Sequence, residues 1–266
     1  MASLGQLPNA PLIYVLAQIV FTRVPKMGSY WEDFHQAIFD RYPQALTERI
    51  RQIQLQDEDE ASTSDSIRWN MLDREKREGI ILAPDSLIFH ATSYTTSDDF
   101  FDRLEFVLTK LAGILPRNIE VNRLGLRYVD LLLPSEDLPV DEQVSGKLGS
   151  ISLDDVGCAF QKLEEVTRYT TPEKGDLVIR HRQSLGSDIL PGDLFPTNLK
   201  NAPLLEKEKP ENATVGLIDF DHYVHLESEF KPGVIIDKFK TMHTISSKAF
   251  KITTTPKARQ LWSKTK

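Results

Sequence analysis

The chain alternates between short apolar runs and polar connections, and the spacing of the apolar positions predicts where helices and strands lie. Residues 12–21 are a nearly continuous β-prone run after two prolines, which predicts a first strand buried on both faces. Ser29 and Glu32 have the spacing of a capping box, and apolar residues follow at helical intervals until Pro43. This spacing predicts the first helix.

Residues 44–66 are rich in Gln, Glu, Asp and Ser, which predicts a mobile acidic loop. Strand patterns return at 67–72 and 79–94, the second of which contains a Pro-Asp turn signal at Pro84. Ser97 then has the position of an N-cap for an amphipathic helix that ends before Gly113. Residues 121–133 are again strand-like.

In the second half of the chain, the sequence pattern predicts strands followed by helices. Residues 134–150 are rich in Pro, Gly and acids, and 165–185 have the pattern of a hairpin around a turn at 172–175. Residues 186–213 contain four prolines and predict a long surface loop. Residues 215–229 alternate between apolar and polar side chains, which predicts a half-exposed strand, and residues 236–250 have a helical period. Thr255 and Pro256 then mark the start of a last helix.

This order predicts an α+β fold, in which a mainly antiparallel sheet carries helices on one face. At 266 residues we expect a single compact domain over 1–266, with halves 1–134 and 151–266 as an alternative division. A strand, meander and helix rhythm occurs in both halves, so two pseudo-repeated halves are a hypothesis.

Composition narrows the class of protein. A hydrophobic fraction of 40% and a charged fraction of 27% are typical of a globular chain, and the net charge of −7 does not favour general attraction to nucleic acid. The single cysteine, Cys158, is expected to be a small core residue in a reducing compartment. The apolar run at 12–21 is too short to span a membrane, and no signal peptide precedes it. We therefore predict a cytoplasmic protein without membrane contact.

The first candidate polar site lies on the predicted strand at 215–229. Asp219, Asp221 and His225 share one face of that strand, and their oxygen and nitrogen atoms are ligands that a divalent metal accepts. The alternative is an ordinary solvated strand face, which we weigh as the commoner case and for which no metal is assigned.

The second candidate site consists of Arg123, Arg127 and Asp130 on the strand-like stretch 121–133. A half-buried Arg127 needs a partner, which we expect to be an acid of 215–229. The alternatives are a structural ion pair and an arginine fork that binds a carboxylate or phosphate.

A third feature is positive charge near the end of the chain. The last 36 residues carry eight lysines and Arg259 against one acid, Asp237. Such asymmetry favours an acidic partner or nucleic acid, although no nucleic-acid motif accompanies it. The residues chosen for this candidate basic surface are Arg180, Arg182, Lys238, Lys248 and Lys251.

Motifs of the standard enzyme classes are absent: the sequence has no P-loop, dinucleotide-binding, Gly-x-Ser-x-Gly or His-Glu-x-x-His motif. His35, His90 and His243 are interpreted as packing or surface residues. We therefore favour a non-enzymatic binding or regulatory protein that acts through a protein partner, with no cofactor. The alternatives are a metal-assisted hydrolase of phosphate esters that uses Asp219, Asp221 and His225, and a nucleic-acid-binding accessory protein. Nothing in the sequence indicates the oligomeric state.

Several stretches together resemble a known group of sequences. They are Leu7-Pro8-Asn9-Ala10-Pro11-Leu12, the segment from Arg123 to Asp130, Leu217-Ile218-Asp219-Phe220-Asp221, and the last helices with His243, Phe250, Thr253 and Trp262. The ensemble resembles a sporadically distributed prokaryotic family of unknown function, except that Asp130 stands where the family would have Asn. The resemblance implies a cytoplasmic prokaryotic protein from mobile or defence-associated gene neighbourhoods, and it names no ligand.

Overall fold

The structure is a computed structural model in which backbone placement is described for most of the chain. The described residues are 7, 9–56, 60–146, 148, 154–156, 158–185, 189–194, 198–207 and 213–264.

Nine strands in the described residues form one antiparallel sheet, in the order β2-β3-β4-β5-β1-β6-β9-β8-β7. They are β1 (Leu12–Phe21), β2 (Gln44–Gln56), β3 (Glu60–Leu72), β4 (Glu78–Ala83), β5 (Ser86–Ala91), β6 (Glu120–Leu132), β7 (Lys162–Thr170), β8 (Asp176–Leu185) and β9 (Thr214–Glu229). Strands β1 and β6 lie at the centre of the sheet, and most of their residues are buried or half-buried on both faces. The predicted α+β class with an antiparallel sheet is confirmed.

The helices of the described chain are α1 (Met27–Ile38), α2 (Ser97–Ala112), α3 (Val140–Gln143), α4 (Pro232–Thr253) and α5 (Pro256–Ser263). Phe34 of α1, Phe101 of α2 and Phe239 of α4 are fully buried in one apolar cluster with alternate residues of β1, β6 and β9. The long helices therefore cover one face of the sheet, which we call the helix face.

A different segment covers the other face, which we call the opposite face. Ile189, Leu194, Leu199 and Ala202 are buried against residues of β1, β6 and β9 that point away from the helices. The prediction of a long surface loop over 186–213 was wrong for this part, because a few apolar side chains among the prolines are enough to bury the segment against the sheet. Residues 186–188, 195–197 and 208–212 lie outside the described residues.

The acidic loop predicted for 44–66 is also corrected. Most of this stretch forms β2 and β3, which pair with each other along their whole length, while 57–59 lie outside the described residues. Only Trp69–Leu72 of β3 pair with β4. Cross-strand backbone hydrogen bonds therefore outweigh the low strand propensity of Gln, Glu, Asp and Ser here.

Three local predictions need smaller corrections. The first helix begins at Met27 after Lys26, with no side-chain cap, so Ser29 lies inside it. The second helix is capped by Thr96, whose hydroxyl accepts from the Asp99 amide, one residue earlier than predicted. Cys158 is exposed and is not a core residue.

The two halves of the chain contribute adjoining parts of the sheet. Strands β1 to β6 lie within 1–134 and strands β7 to β9 within 151–266, and the two groups meet where β6 pairs with β9. The division at 134–151 and the internal repeat remain predictions.

Candidate functional site

The strongest ion pair of the predicted polar site joins β6 to β9 on the opposite face. Arg127 Nε donates to Asp219 Oδ1 at 2.8 Å and Arg127 Nη2 donates to Asp219 Oδ2 at 2.7 Å. The Asp219 side chain is fully buried. Both of its oxygens are thus engaged by one guanidinium, which is the geometry of a forked, charge-assisted pair.

Two further residues extend this pair. Arg127 Nη1 donates to Asp193 Oδ2 at 2.6 Å, and Arg180 Nη1 lies 3.3 Å from Asp219 Oδ2. Burial disfavours the charged form of Arg127, but its hydrogen bonds to Asp219 and Asp193 raise its pKa above the usual value. The hydrogen bond between Arg127 and Asp193 also lowers the pKa of Asp193. The positive and negative charges of this cluster compensate one another inside the protein. We call Arg127, Arg180, Asp193 and Asp219 the brace, because their ion pairs hold β6 and β9 together.

The remaining members of the polar site lie farther along the same face. Arg123 donates to Gln18 Oε1 at 2.6 Å and its guanidinium lies 4.6 Å from the centre of the Tyr223 ring. Asp221 pairs with Arg180, and His225 is exposed. Among the described residues, no group of three or more His, Cys, Asp or Glu side chains could hold a metal ion.

Asp130 is separated from this cluster, although the sequence placed it with Arg123 and Arg127. Successive residues of a strand point to opposite faces, and Asp130 is three positions from Arg127 on β6, with an unbroken register between them. Asp130 therefore points to the helix face, where it is 4% exposed. Grouping it with the two arginines was wrong for this reason.

Asp130 lines a cavity of ≈ 220 Å³ on the helix face. The walls come from the chain before β1, the start of α2, the strands β6 and β9, and α4. The lining residues are Leu7, Ala10, Pro11, Leu12, Tyr94, Thr95, Thr96, Ser97, Tyr128, Asp130, Phe220, His243, Ser246, Ser247 and Phe250. The cavity is thus apolar along most of its wall and polar around Asp130, which is the usual composition of a small-molecule site.

No family model and no curated protein matches the chain. What the cavity can do is therefore argued from its own geometry.

A chain of hydrogen bonds crosses the polar part of the cavity. Tyr128 Oη and His243 Nδ1 share a hydrogen bond of 2.8 Å, and Ser247 Oγ lies 3.1 Å from His243 Nε2. Ser247 Oγ also lies 3.5 Å from His243 Nδ1, so the oxygen is almost equidistant from the two ring nitrogens. An oxygen in line with the Nε2 lone pair would be much farther from Nδ1. The pair therefore lacks the in-line geometry by which a histidine activates a serine nucleophile.

Burial sets the protonation states in the cavity. It raises the pKa of Asp130 to about 8, with a smaller contribution from the charge of Asp219 across the sheet. Burial also lowers the pKa of His243, against the opposing charge of Asp98. No described residue forms a hydrogen bond with the Asp130 side chain. At neutral pH these shifts favour the protonated carboxyl group of Asp130 and the neutral imidazole of His243.

A second cavity of ≈ 220 Å³ lies on the opposite face, and its acids, Glu48 and Asp193, accept hydrogen bonds, whereas Asn70 Nδ2 and His90 Nε2 are buried without a partner among the described residues. Tyr14 Oη shares a hydrogen bond of 2.8 Å with His90 Nδ1, and burial lowers the pKa of His90 to about 4. Glu48 accepts from Arg68 and Asn198, while Asp193 accepts from Arg127. Both acids of this cavity therefore accept from an arginine, which distinguishes them from Asp130 of the helix-face cavity, to which no described residue donates.

The candidate basic surface is divided between the two faces of the sheet. Arg180 and Arg182 point to the opposite face, where Arg180 pairs with Asp221 and Arg182 lies 3.5 Å from Glu164. Lys238, Lys248 and Lys251 lie on α4 on the other side of the sheet, and Lys238 donates to Glu173 at 2.7 Å. The five residues do not form one continuous patch.

The sequence did not identify the tyrosines, the histidine and the serines of the cavity as site residues. One signal was present: His243, Ser246 and Ser247 recur at helical spacing within the apolar stripe of α4, next to the buried Phe239 and Met242. Polar residues in a buried stripe need partners, so this interruption could have indicated a cavity or a polar network.

No helix in the described part of the chain is long and apolar enough to span a membrane.

Proposed function

We propose that the protein is a non-enzymatic binding or regulatory protein that takes up a small molecule in the helix-face cavity and acts in the cytoplasm with a protein partner. The observation that carries this proposal is the buried carboxyl group of Asp130, which lines the cavity and has no hydrogen-bond partner among the described residues. Asp130 is the one acid among the described residues that line the cavity, and a ligand that donates a hydrogen bond or carries a positive charge can pair with it there.

A non-enzymatic role is supported by the geometry of the nearest nucleophile. Ser247 is the serine whose hydroxyl lies closest to a histidine in the cavity, and this hydroxyl is not aligned with the Nε2 lone pair of His243. The alternative of a metal-assisted hydrolase loses support because both oxygens of Asp219 accept from Arg127. Nucleic-acid binding loses support because the predicted basic residues lie on two sides of the sheet.

The protein partner has support from an edge of the sheet. β7 pairs only with β8 in the described sheet, and its Val166 and Tyr169 are 67% and 52% exposed. An edge strand with exposed apolar side chains offers backbone groups to which an extended segment of another chain can pair.

The small-molecule part of the proposal is tested with a thermal-shift screen on matched variants. Ser247→Phe places a ring in the cavity, whereas Thr244→Phe adds the same ring at an exposed position of the same helix. We expect compounds that raise the melting temperature of the wild type and of Thr244→Phe but not of Ser247→Phe, because a ligand at 100 times its Kd stabilises the fold by about 2.7 kcal/mol. Compounds that stabilise all three proteins equally would place binding elsewhere, and a large screen without any stabilising compound would contradict the proposal.

A further inference from the structure

The charges around the helix-face cavity have one sign. The described lining residues include one acid, Asp130, and neither lysine nor arginine. His243 carries no charge at neutral pH because burial lowers its pKa, and the carboxylate of Asp98 acts on both His243 and Tyr94. A ligand that enters the cavity therefore meets no positively charged side chain among the described lining residues.

The start of α2 does not turn the cavity into an anion site. Thr95, Thr96 and Ser97 line the cavity at the positive end of the helix dipole. However, the Thr96 hydroxyl already accepts from the Asp99 amide, and Asp98 and Asp99 occupy the first turn of the helix. Their carboxylates offset the dipole that would otherwise attract an anion.

Aromatic rings surround the same space. Tyr94 and Tyr128 pack edge to face with their centroids 6.2 Å apart, and Phe220 and Phe250 pack with centroids 6.1 Å apart. All four residues line the cavity. The faces of aromatic rings attract organic cations, and several rings beside a carboxyl group are a recurrent way to bind an ammonium group.

From these three features we infer that the ligand of the cavity is a small organic ammonium ion, whose nitrogen pairs with the carboxylate of Asp130 and whose apolar part contacts Phe220 and Phe250. This inference rests on the proposed small-molecule function and specifies the class of ligand. The volume of ≈ 220 Å³ corresponds to about seven water molecules, so the ligand has roughly the size of a benzylammonium ion.

The inference includes a movement of one proton. Asp130 is protonated in the empty cavity at neutral pH, whereas an ion pair requires its carboxylate. The ammonium ion keeps its own protons, so the proton of Asp130 leaves to solvent as the pair forms. The titratable groups that interact electrostatically with Asp130 are Tyr94, Tyr128 and Asp219, and the carboxylate of Asp98 acts on Tyr94 and His243 at the same cavity.

The test is calorimetry with three probes of nearly equal shape: benzylammonium, benzyl alcohol and benzoate. At pH 7 we expect benzylammonium to bind at least about tenfold more tightly than benzyl alcohol, because only the cation forms the pair, and benzoate not to bind. Titrations in two buffers of different ionisation enthalpy should show the release of close to one proton for each benzylammonium bound. This measurement needs only the wild-type protein.

Two variants test whether the ammonium ion pairs with Asp130. Asp130→Asn should weaken benzylammonium binding by about 30-fold or more and leave benzyl alcohol binding within a few-fold of the wild type. Asp221→Asn removes the same charge on the opposite face and should leave both affinities unchanged. If Asp130→Asn does not fold, the ratio of the wild-type affinities for benzylammonium and benzyl alcohol decides the question.

The outcomes separate the inference from the proposed function. Equal binding of benzylammonium and benzyl alcohol to the wild type, or equal binding of benzylammonium to the wild type and Asp130→Asn, would overturn the ammonium inference and leave the cavity as a ligand site. Failure of all three probes would also overturn the inference. The proposed function itself would fail only if the screen with Ser247→Phe also yielded no ligand for this cavity.

Discussion

Each face of the sheet contains a buried aspartate, and the two aspartates differ in their hydrogen-bond partners. On the opposite face, Asp219 of β9 receives two hydrogen bonds from Arg127, at 2.8 and 2.7 Å, and Arg180 lies nearby. On the helix face, Asp130 of the neighbouring strand β6 is equally enclosed by protein but has no donor among the described residues, and a cavity lies beside it.

This difference distinguishes a brace from a binding site. A buried ion pair with satisfied oxygens holds two strands in register and leaves nothing for a ligand. A buried carboxyl group without a partner destabilises the fold whenever it ionises, so its presence at the wall of a cavity points to a ligand that provides the missing partner. Asp219 and Asp130 are the same type of residue, and their different neighbours give one a structural role and the other a role in binding.

The largest effect is expected from Asp130→Asn, measured as the free energy of unfolding against pH. The pKa of Asp130 is about 8 in the folded protein and near 3.8 in the unfolded chain, so the folded protein holds more protons between these values. The stability that depends on the neutral carboxyl is fully present below pH 4 and is lost as the pH rises to 8. Asn has nearly the shape of the protonated acid and does not ionise, so the variant does not lose this stability as the pH rises.

The variant should therefore match the wild type near pH 4 and exceed its stability at pH 8 by an amount on the order of 5 kcal/mol, since each pKa unit is worth about 1.4 kcal/mol. Urea unfolding at several pH values measures the difference. A constant difference across this range would mean that Asp130 has an ordinary pKa and a partner.

The brace is broken by Arg127→Met. This change leaves the fully buried Asp219 with only the more distant Arg180, so we expect a loss of about 3 to 5 kcal/mol in the free energy of unfolding. The double variant Arg127→Met, Asp219→Leu removes both charges and should recover most of that loss. If the single variant loses less than about 1 kcal/mol, the pair contributes no more than a surface ion pair.

A smaller effect is expected from Arg180→Ala on the same face. The Arg180 side chain is 27% exposed and lies 3.3 Å from both Asp219 and Asp221, so solvent screens much of its charge. We expect a loss of about 1 kcal/mol or less by urea unfolding. A loss as large as that of Arg127→Met would show that the brace depends equally on both arginines.

Much of the fold follows from local patterns in the sequence. The alternation of β9, the apolar stripes of α2 and α4 and the Pro84-Asp85 turn between β4 and β5 are features that a few neighbouring residues specify. They predicted the class of fold and the helix face. The pairing of β2 with β3 was not predictable in this way, since polar residues become strands there only because a partner strand satisfies their backbone groups.

The candidate site was predictable in part. A partner for Arg127 on β9 was expected, and the structure provides Asp219. Asp193 could not be anticipated, because it reaches Arg127 from a single 3-10 turn, Gly192–Leu194, on the opposite face. The separation of Asp130 from Arg127 follows from strand alternation alone, since the two residues are three positions apart on β6. The cavity itself required the packing of α2 and α4 against the sheet, which no local pattern specifies.

The most direct measurement is a carbon-13 NMR titration of the aspartate side-chain carboxyl groups, with the Asp130 signal assigned from Asp130→Asn and Asp193 as an internal comparison. Our account predicts a midpoint near pH 8 for Asp130 and a midpoint below the usual aspartate range for Asp193, whose pKa is lowered by Arg127. A midpoint for Asp130 at or below the usual value of about 3.9 would mean that this carboxyl is partnered like those of the opposite face, and would contradict the account.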